Sequence, residues 1–115
     1  MQASAQFAKS YQAISAHRTQ RQQEADVFRR VIGALRQAKD AGPLQRTKAL
    51  ADNRRLWMAV TDLMKDFDSS LPLALRASII SVGIRVRHEM DLESPDFDFL
   101  ISINEDIAHG LSEPA

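Results

Sequence analysis

The sequence predicts an all-α fold, a compact bundle of about four helices with an N-terminal helical arm. Apolar residues recur at steps of three and four along most of the chain, the spacing that lines one face of a helix. No stretch alternates strictly between apolar and polar residues as a half-buried strand does. With 115 residues the chain can bury one modest core. We therefore expect one helical domain at 19–111 and an arm, the best candidate for a mobile segment, at 1–18.

The first predicted helix begins near Thr19 or Arg21 and ends at Lys39. Gly42, which tolerates a left-handed C-cap, and Pro43, which suits the first turn of a following helix, mark the stop. The residues of its apolar stripe are Val27, Phe28, Val31, Ile32, Leu35 and Ala38.

The second predicted helix covers about Pro43 to Phe67, and the turn at 68–72 follows it, with Pro72 at the start of the next helix. Its stripe includes one polar residue among apolar ones, and this residue is Asn53. The full stripe is Leu50, Asn53, Leu56, Trp57, Val60, Leu63, Met64 and Phe67.

The third predicted helix, about Pro72 to Asp91, is the most apolar. Gly83 within it costs about 1 kcal/mol relative to Ala, which a close helix crossing could offset. The wide stripe predicts a central helix that touches several neighbours. Its members are Leu75, Ile79, Val82, Gly83, Val86 and Met90, widened by Ala77, Ile80 and Ile84.

The fourth predicted helix follows Ser94 and Pro95, taken as its cap and its first helical residue. Asp96 and Asp98 then lie in the first turn, where the helix dipole favours negative charge. Gly110 is the predicted stop. The inner face comprises Phe97, Leu100, Ile103, Asn104, Ile107 and Leu111.

Charge is distributed unevenly between the two halves of a neutral chain. Residues 1–55 hold 11 Lys/Arg and 4 Asp/Glu, a net charge of +7, whereas residues 56–115 hold 4 and 11, a net charge of −7. Two interpretations follow: the halves attract each other within one bundle, or they form a bipolar surface that orients a partner.

No feature of the sequence indicates an enzyme, a metal or a cofactor. The chain has no Cys, which excludes thiolate sites, disulfides and a Cys nucleophile. Among the three His, only His88 has an acidic neighbour near ligand spacing, Asp91, and one such pair is weak evidence. No Gly-rich phosphate loop is present. We therefore expect a binding protein without catalytic activity.

The compartment expected from the sequence is the cytoplasm. Residues 1–6 lack the basic start and apolar block of a secretory signal. The densest apolar stretch, 79–84, is far shorter than the roughly 20 residues that a membrane span needs. We expect no membrane partner.

The partner expected from the residues themselves is another protein. Nucleic acid is disfavoured, although the first half is basic, because the chain is neutral overall and has one Trp and one Tyr for stacking on bases. Trp57 and its apolar neighbours are either plain core or part of a groove for an amphipathic segment. Met58, on the flank of the stripe, is an adaptable contact residue.

One set of motifs extends over nearly the whole chain. It comprises Asn53-Arg54-Arg55-Leu56-Trp57, Asp62-Leu63, Leu71-Pro72, Leu75-Arg76-Ala77, Ile79-Ile80-Ser81-Val82-Gly83, Phe97-Asp98-Phe99-Leu100-Ile101-Ser102-Ile103-Asn104 and Gly110-Leu111, with a weaker Tyr11-Gln12, Arg21 and Glu24. In these motifs the chain resembles the FlaF family of flagellar biosynthesis regulators, from about Tyr11 to Leu111. It departs from the family pattern at Gln20 and Gln22, in place of Pro and Glu, and at Arg85, in a region that is often apolar or aromatic.

The resemblance implies a regulator that promotes flagellin synthesis or secretion by binding flagellin, in the manner of a chaperone or adaptor. It also implies a functional link to the FlbT regulator, whose effect on flagellin messenger RNA the family counters. The alternative function is an RNA-binding regulator that acts on that messenger RNA directly.

The contact surface that we expect is an apolar groove near the second and third helices, with charged residues fixing orientation. Its residues are Arg54, Arg55, Leu56, Trp57, Val60, Arg76 and Ile80. Equally, the three arginines could be structural and pair within the bundle with Asp62, Asp66 or Glu105.

Overall fold

The structure, a computed structural model, describes residues 22–66 and 71–112, and that part of the chain contains four α-helices. Residues 22–39 are helical and form α1. The other helices are α2 (Pro43–Lys65), α3 (Leu73–Met90) and α4 (Phe97–Ser112). The all-α prediction is confirmed. The proposed arm at 1–18 and the start of the first helix lie outside the described residues.

The turn between α1 and α2 forms without the left-handed glycine that the sequence suggested. Gly42 has φ −72° and ψ 171°, an extended conformation, and no described Gly has a positive φ. The amide of Ala41 instead donates to the carbonyl of Ala38 at 3.0 Å, a tight turn that ends α1. Pro43 is the first residue of α2, as predicted. Gly42 therefore serves as the N-cap of α2.

Helices α2 and α3 form an antiparallel pair. At one end Asn53 contacts Met90, and at the other the guanidinium of Arg76 donates to the carbonyl oxygen of Asp66 at 3.0 Å. Asp66 is extended, so α2 ends at Lys65, before the predicted end. The predicted end, Phe67, lies outside the described residues. Arg76 satisfies a carbonyl that the end of a helix leaves without an intrahelical partner.

The N-terminus of α4 is capped by a different residue from the one predicted. The Oδ1 of Asp96 accepts a hydrogen bond from the amide of Phe99 at 3.2 Å, and its own amide donates to Glu89 of α3 at 3.1 Å. Ser94 and Pro95 both precede the helix. The prediction was wrong because Asp96, like Ser94, has a side-chain oxygen that can cap a helix. Asp96 lies two residues nearer to Phe97, where the apolar face of α4 begins. The helix also continues past Gly110, the predicted stop, to Ser112.

All four helices contribute to one core. Phe28 and Leu35 of α1 are buried with Trp57 of α2, Val86 of α3 and Leu100 of α4. Most of each predicted stripe is buried or half-buried. Five described members instead lie on the surface: Val27, Leu63, Leu75, Ala77 and Ile84.

The exposed members show that the apolar faces predicted for these helices were wider than the faces that are buried. Val27 and Leu63 are each about 100° around the helix from a buried or half-buried neighbour in the sequence, Phe28 and Met64. Leu75 lies in the first turn of α3, before its first buried residue. The wide apolar stripe of α3 is therefore only partly buried. Helices α2 and α4 each contact the other three helices.

The two oppositely charged halves pair within the bundle. Arg36 binds Glu105, Lys39 binds Asp98 at 2.7 Å, and Arg54 binds Asp91 at 3.0 Å, so each pair joins a cation of residues 1–55 to a carboxylate of residues 56–115. The hydrogen bond to Asp98 and its negative charge raise the pKa of Lys39. These pairs support the interpretation that the charge asymmetry holds the halves together.

Candidate protein-binding groove

An open groove of about 300 Å³ runs between α2 and α3. Its lining residues recur at steps of three and four on both helices, so one face of each helix forms one wall. The apolar members are Trp57, Met58, Ile80, Gly83, Ile84 and Met90, and the polar members are Arg54, Thr61, Asp62, Lys65 and Arg87.

The floor of the groove is formed by the ring of Trp57, where α2 and α3 cross, and its geometry depends on Gly83. A Cβ atom at this position would lie 3.1 Å from Thr61 Oγ1 and 3.3 Å from Trp57 Cε3. Both distances are shorter than ordinary van der Waals contacts, so a Cβ atom here would require Thr61 or Trp57 to shift by a few tenths of an ångström. The close crossing predicted at Gly83 is confirmed.

The ring of Trp57 is held by contacts with two other helices. Phe28 of α1 meets it edge-to-face, with ring centroids 6.0 Å apart. The indole Nε1 of Trp57 donates to the Oδ1 of Asn104 in α4 at 2.9 Å. The residue is only 3% exposed although it lines the groove. The floor is therefore a fixed surface.

A buried chain of hydrogen bonds extends from this tryptophan. The Nδ2 of Asn104 donates to Asn53 Oδ1 at 2.7 Å, and the Nδ2 of Asn53 donates to the Sδ of Met90 at 3.1 Å. Both Asn side chains are completely buried. Burial of an amide costs free energy unless its groups find partners, and here each Asn finds them in the other Asn and in one further residue, Trp57 for Asn104 and Met90 for Asn53. The chain connects α2, α3 and α4 beneath the groove.

The rim of the groove is apolar and uncovered. Ile84 on α3 is 68% exposed, and Met58 on α2 is 49% exposed. Ile80, one turn before Ile84 on α3, is half-buried and also lines the groove. Exposed large apolar side chains that adjoin a groove are a common feature of sites that bind another protein.

Charged side chains complete the walls, and they are not all neutralised. Arg54 is engaged with Asp91. Asp62, Lys65 and Arg87 are exposed, and none of them forms an ion pair with a described residue. These three place their charged groups at the surface of the groove.

Three of the seven predicted contact residues, Arg54, Trp57 and Ile80, come together in the groove. Leu56 is buried in the core and Val60 packs half-buried against it. Neither lines the groove, because each points to another side of α2.

The two other predicted arginines are engaged in local contacts. Arg55 binds Asp52, one turn before it, at 2.8 Å, and Arg76 caps the end of α2. Arg54 and Arg55 thus pair with carboxylates other than the expected Asp62, Asp66 and Glu105. Arg76 does bind Asp66, but through its backbone carbonyl oxygen.

Eight of the eleven lining residues were not among the predicted contacts. Two of these, Ile84 and Arg87, are exposed on α3. The signal that indicates them is the spacing 80, 84 and 87, a second stripe on α3 beside the core stripe. The apolar pattern predicted Ile84 to be part of the core, because nothing in the sequence distinguishes an exposed apolar residue beside a wide stripe from a buried one.

Arg85, one of the departures from the family pattern, stacks on a neighbouring aromatic side chain. Its guanidinium lies 5.6 Å from the ring centroid of Phe99 in α4, and Arg46 similarly lies 4.9 Å from the ring of Phe97. Arg85 is not part of the groove.

The described residues show no group of three or more His, Cys, Asp and Glu side chains that could hold a metal ion. None of the helices in residues 22–66 and 71–112 is long and apolar enough to cross a membrane.

Comparison with known proteins assigns the family. The sequence model of the family described as "Flagellar protein FlaF" matches residues 7–111. The chain belongs to the FlaF family. No curated protein and no solved structure matches it.

The segments on which the FlaF resemblance rests meet at the floor of the groove. The first contains Asn53 and Trp57, the second contains Gly83, and the third contains Asn104. The structure gives these residues a common role, because they hold the tryptophan against the crossing of α2 and α3. The chain is thus a flagellar protein, and its motif residues build the support of its groove.

Proposed function

We propose that this FlaF-family protein binds unassembled flagellin in the cytoplasm and thereby promotes flagellin synthesis and secretion, as a chaperone or adaptor. It acts by binding, without catalysis. The observation that carries the proposal is the groove between α2 and α3, whose rim residues Ile84 and Met58 stay exposed after the bundle has packed. The family assignment supplies the link to the flagellum.

The groove suits a polypeptide partner on energetic grounds. Full burial of an aliphatic side chain contributes about 1.5–3 kcal/mol, so covering Ile84 and Met58 supplies a substantial driving force. The ring of Trp57, which forms the floor, is already held in place, so binding incurs less of the conformational-entropy cost of ordering a flexible site. Charged residues on the walls then set orientation and association rate.

Binding to flagellin messenger RNA is the rival function, and the distribution of charge weighs against it. Arg36, Lys39 and Arg54, which belong to the basic half, are each engaged with a carboxylate of the acidic half. A phosphate backbone would have to displace those carboxylates. RNA is therefore an outcome of the test and not a second proposal.

The test is a calorimetric titration of the purified protein with purified monomeric flagellin, and separately with the flagellin leader RNA, at low and moderate salt. The groove variant is Ile84→Asp, which places a charge on the exposed rim. The matched control is Leu44→Asp, because Leu44 is 83% exposed on α2 and does not line the groove.

We expect wild type and Leu44→Asp to bind flagellin equally, and Ile84→Asp to bind at least about tenfold more weakly, which corresponds to 1.4 kcal/mol. Absence of a flagellin complex would refute the proposed function. RNA binding that falls steeply as salt rises would favour the rival.

A further inference from the structure

The chemistry of the groove walls indicates what kind of segment the groove accepts. We infer that it takes an amphipathic helix whose apolar face is followed, at the Arg87 end, by an acidic side chain. This inference rests on the proposed function, because the helix would belong to flagellin.

The occupant is helical because the walls offer no backbone pairing. Both walls are α-helices, whose N–H and C=O groups are bonded within the helix except at the ends. An extended segment would leave its own backbone groups without partners in an apolar groove, whereas a helix satisfies them internally. From Arg54 to Lys65 the groove spans about 16 Å, or three turns of a helical partner.

The ends of the groove differ in charge. Because α2 and α3 are antiparallel, Arg87 lies near Arg54 at one end and Lys65 lies at the other. At the first end, Asp91 engages Arg54 but leaves Arg87 without an ion-pair partner among the described residues. At the other end, Asp62 is one turn from Lys65 and offsets its charge. Among the described residues, the Arg87 end therefore has a net charge of +1 from Arg54, Arg87 and Asp91, whereas Lys65 and Asp62 at the other end sum to zero.

Charge complementarity then fixes the partner's chemistry and direction. A carboxylate placed against Arg87 gains an interaction that it does not gain beside Asp62, where like charges repel. A phosphate group fits less well than a carboxylated helix, because the apolar floor and rim lie between the two ends.

The experiment uses full-length monomeric flagellin together with overlapping synthetic peptides that cover its sequence. Both are titrated against wild type, Arg87→Glu, Lys65→Glu and the control Arg30→Glu. Arg30 is exposed on α1 outside the groove, so this control makes the same change of charge elsewhere. Circular dichroism checks that each variant is folded.

We expect the tightest peptides to be amphipathic with an acidic residue at one end of the apolar face. Arg87→Glu should bind flagellin about tenfold more weakly, Lys65→Glu less so, and Arg30→Glu like wild type. If flagellin binds wild type and Arg87→Glu equally, or if the bound peptides lack acidic residues, the inferred chemistry is overturned while the proposed function stands. If flagellin binds none of the proteins, the proposed function fails and the inference fails with it.

Discussion

Trp57 on α2 and Asn104 on α4 are joined by a hydrogen bond of 2.9 Å from the indole Nε1 to the amide Oδ1. Both side chains are buried, so water cannot replace the bond if one partner is lost. Asn104 also donates to Asn53, which places it at the centre of the buried chain. A residue outside the groove thus fixes the orientation of the ring that forms the groove floor.

Replacement of Asn104 should be costly. Asn104→Leu removes both hydrogen bonds and leaves the indole N–H and the Asn53 carbonyl oxygen buried without partners. An orphaned buried polar group costs about 1–3 kcal/mol, so we expect a loss of about 2–4 kcal/mol in the free energy of unfolding by urea. Ser102→Ala, on the exposed side of the same helix, is the control and should change stability by less than about 0.5 kcal/mol.

A double replacement separates hydrogen bonding from side-chain volume. In Asn53→Leu/Asn104→Leu the Asn53 carbonyl oxygen is no longer orphaned, so the double variant should lose less stability than the sum of the two single variants. Additive losses, or an Asn104→Leu protein as stable as wild type, would contradict the role assigned to the buried chain.

Gly83 should not tolerate Ala, even though Ala is the better helix former. The added Cβ would crowd Trp57, and this ring cannot move aside because Phe28 and Asn104 hold it. We expect Gly83→Ala to lower stability by about 1–2 kcal/mol, in the range of overpacked cores.

Gly33→Ala is the matched control for Gly83→Ala. Gly33 also lies within a helix, but a Cβ atom there meets nothing within 4 Å. The propensity gain should then appear as a stabilisation of about 0.5–1 kcal/mol. The crossing would not be tight if both substitutions stabilise the protein equally in urea unfolding.

The pair between Lys39 and Asp98 should give stability a dependence on alkaline pH. Because the hydrogen bond to Asp98 and its charge raise the pKa of Lys39 above 10.5 in the folded protein, the contribution is complete below that pH. It is lost as pH rises through the higher folded-state pKa. We expect the stability difference between wild type and Asp98→Asn to be constant at neutral pH and to shrink above about pH 10.5. A difference that grows with pH would contradict this sign.

The sequence predicts the positions of the helices well, because a helix in a bundle turns an apolar residue toward the core at every third or fourth position and this spacing is visible in the sequence. It placed Asn53 and Asn104 on inner faces and expected a close crossing at Gly83. It did not show that the two amides bond to each other, because periodicity assigns a residue to a face without naming what lies opposite. The pairing is a property of the assembled bundle.

The rim of the groove also shows what the sequence pattern could not predict. Ile84 follows Gly83 in an apolar stretch, so the pattern predicted it to be buried, and the structure shows it exposed. Similarly, Ser94 and Asp96 both have capping side chains, and only the path of the chain after α3 decides that Asp96 is the cap. Such outcomes depend on tertiary geometry, which local sequence does not contain.

The binding of flagellin in the groove is most directly tested by methyl NMR of the intact protein during a titration with monomeric flagellin. The side-chain methyl groups of Ile84 and Ile80 report on the groove, and those of Leu44 report on exposed surface elsewhere. We expect the Ile84 and Ile80 signals to shift or broaden while the Leu44 signals stay unchanged. Flagellin binding that leaves both isoleucine signals in place would show that the partner sits on another surface.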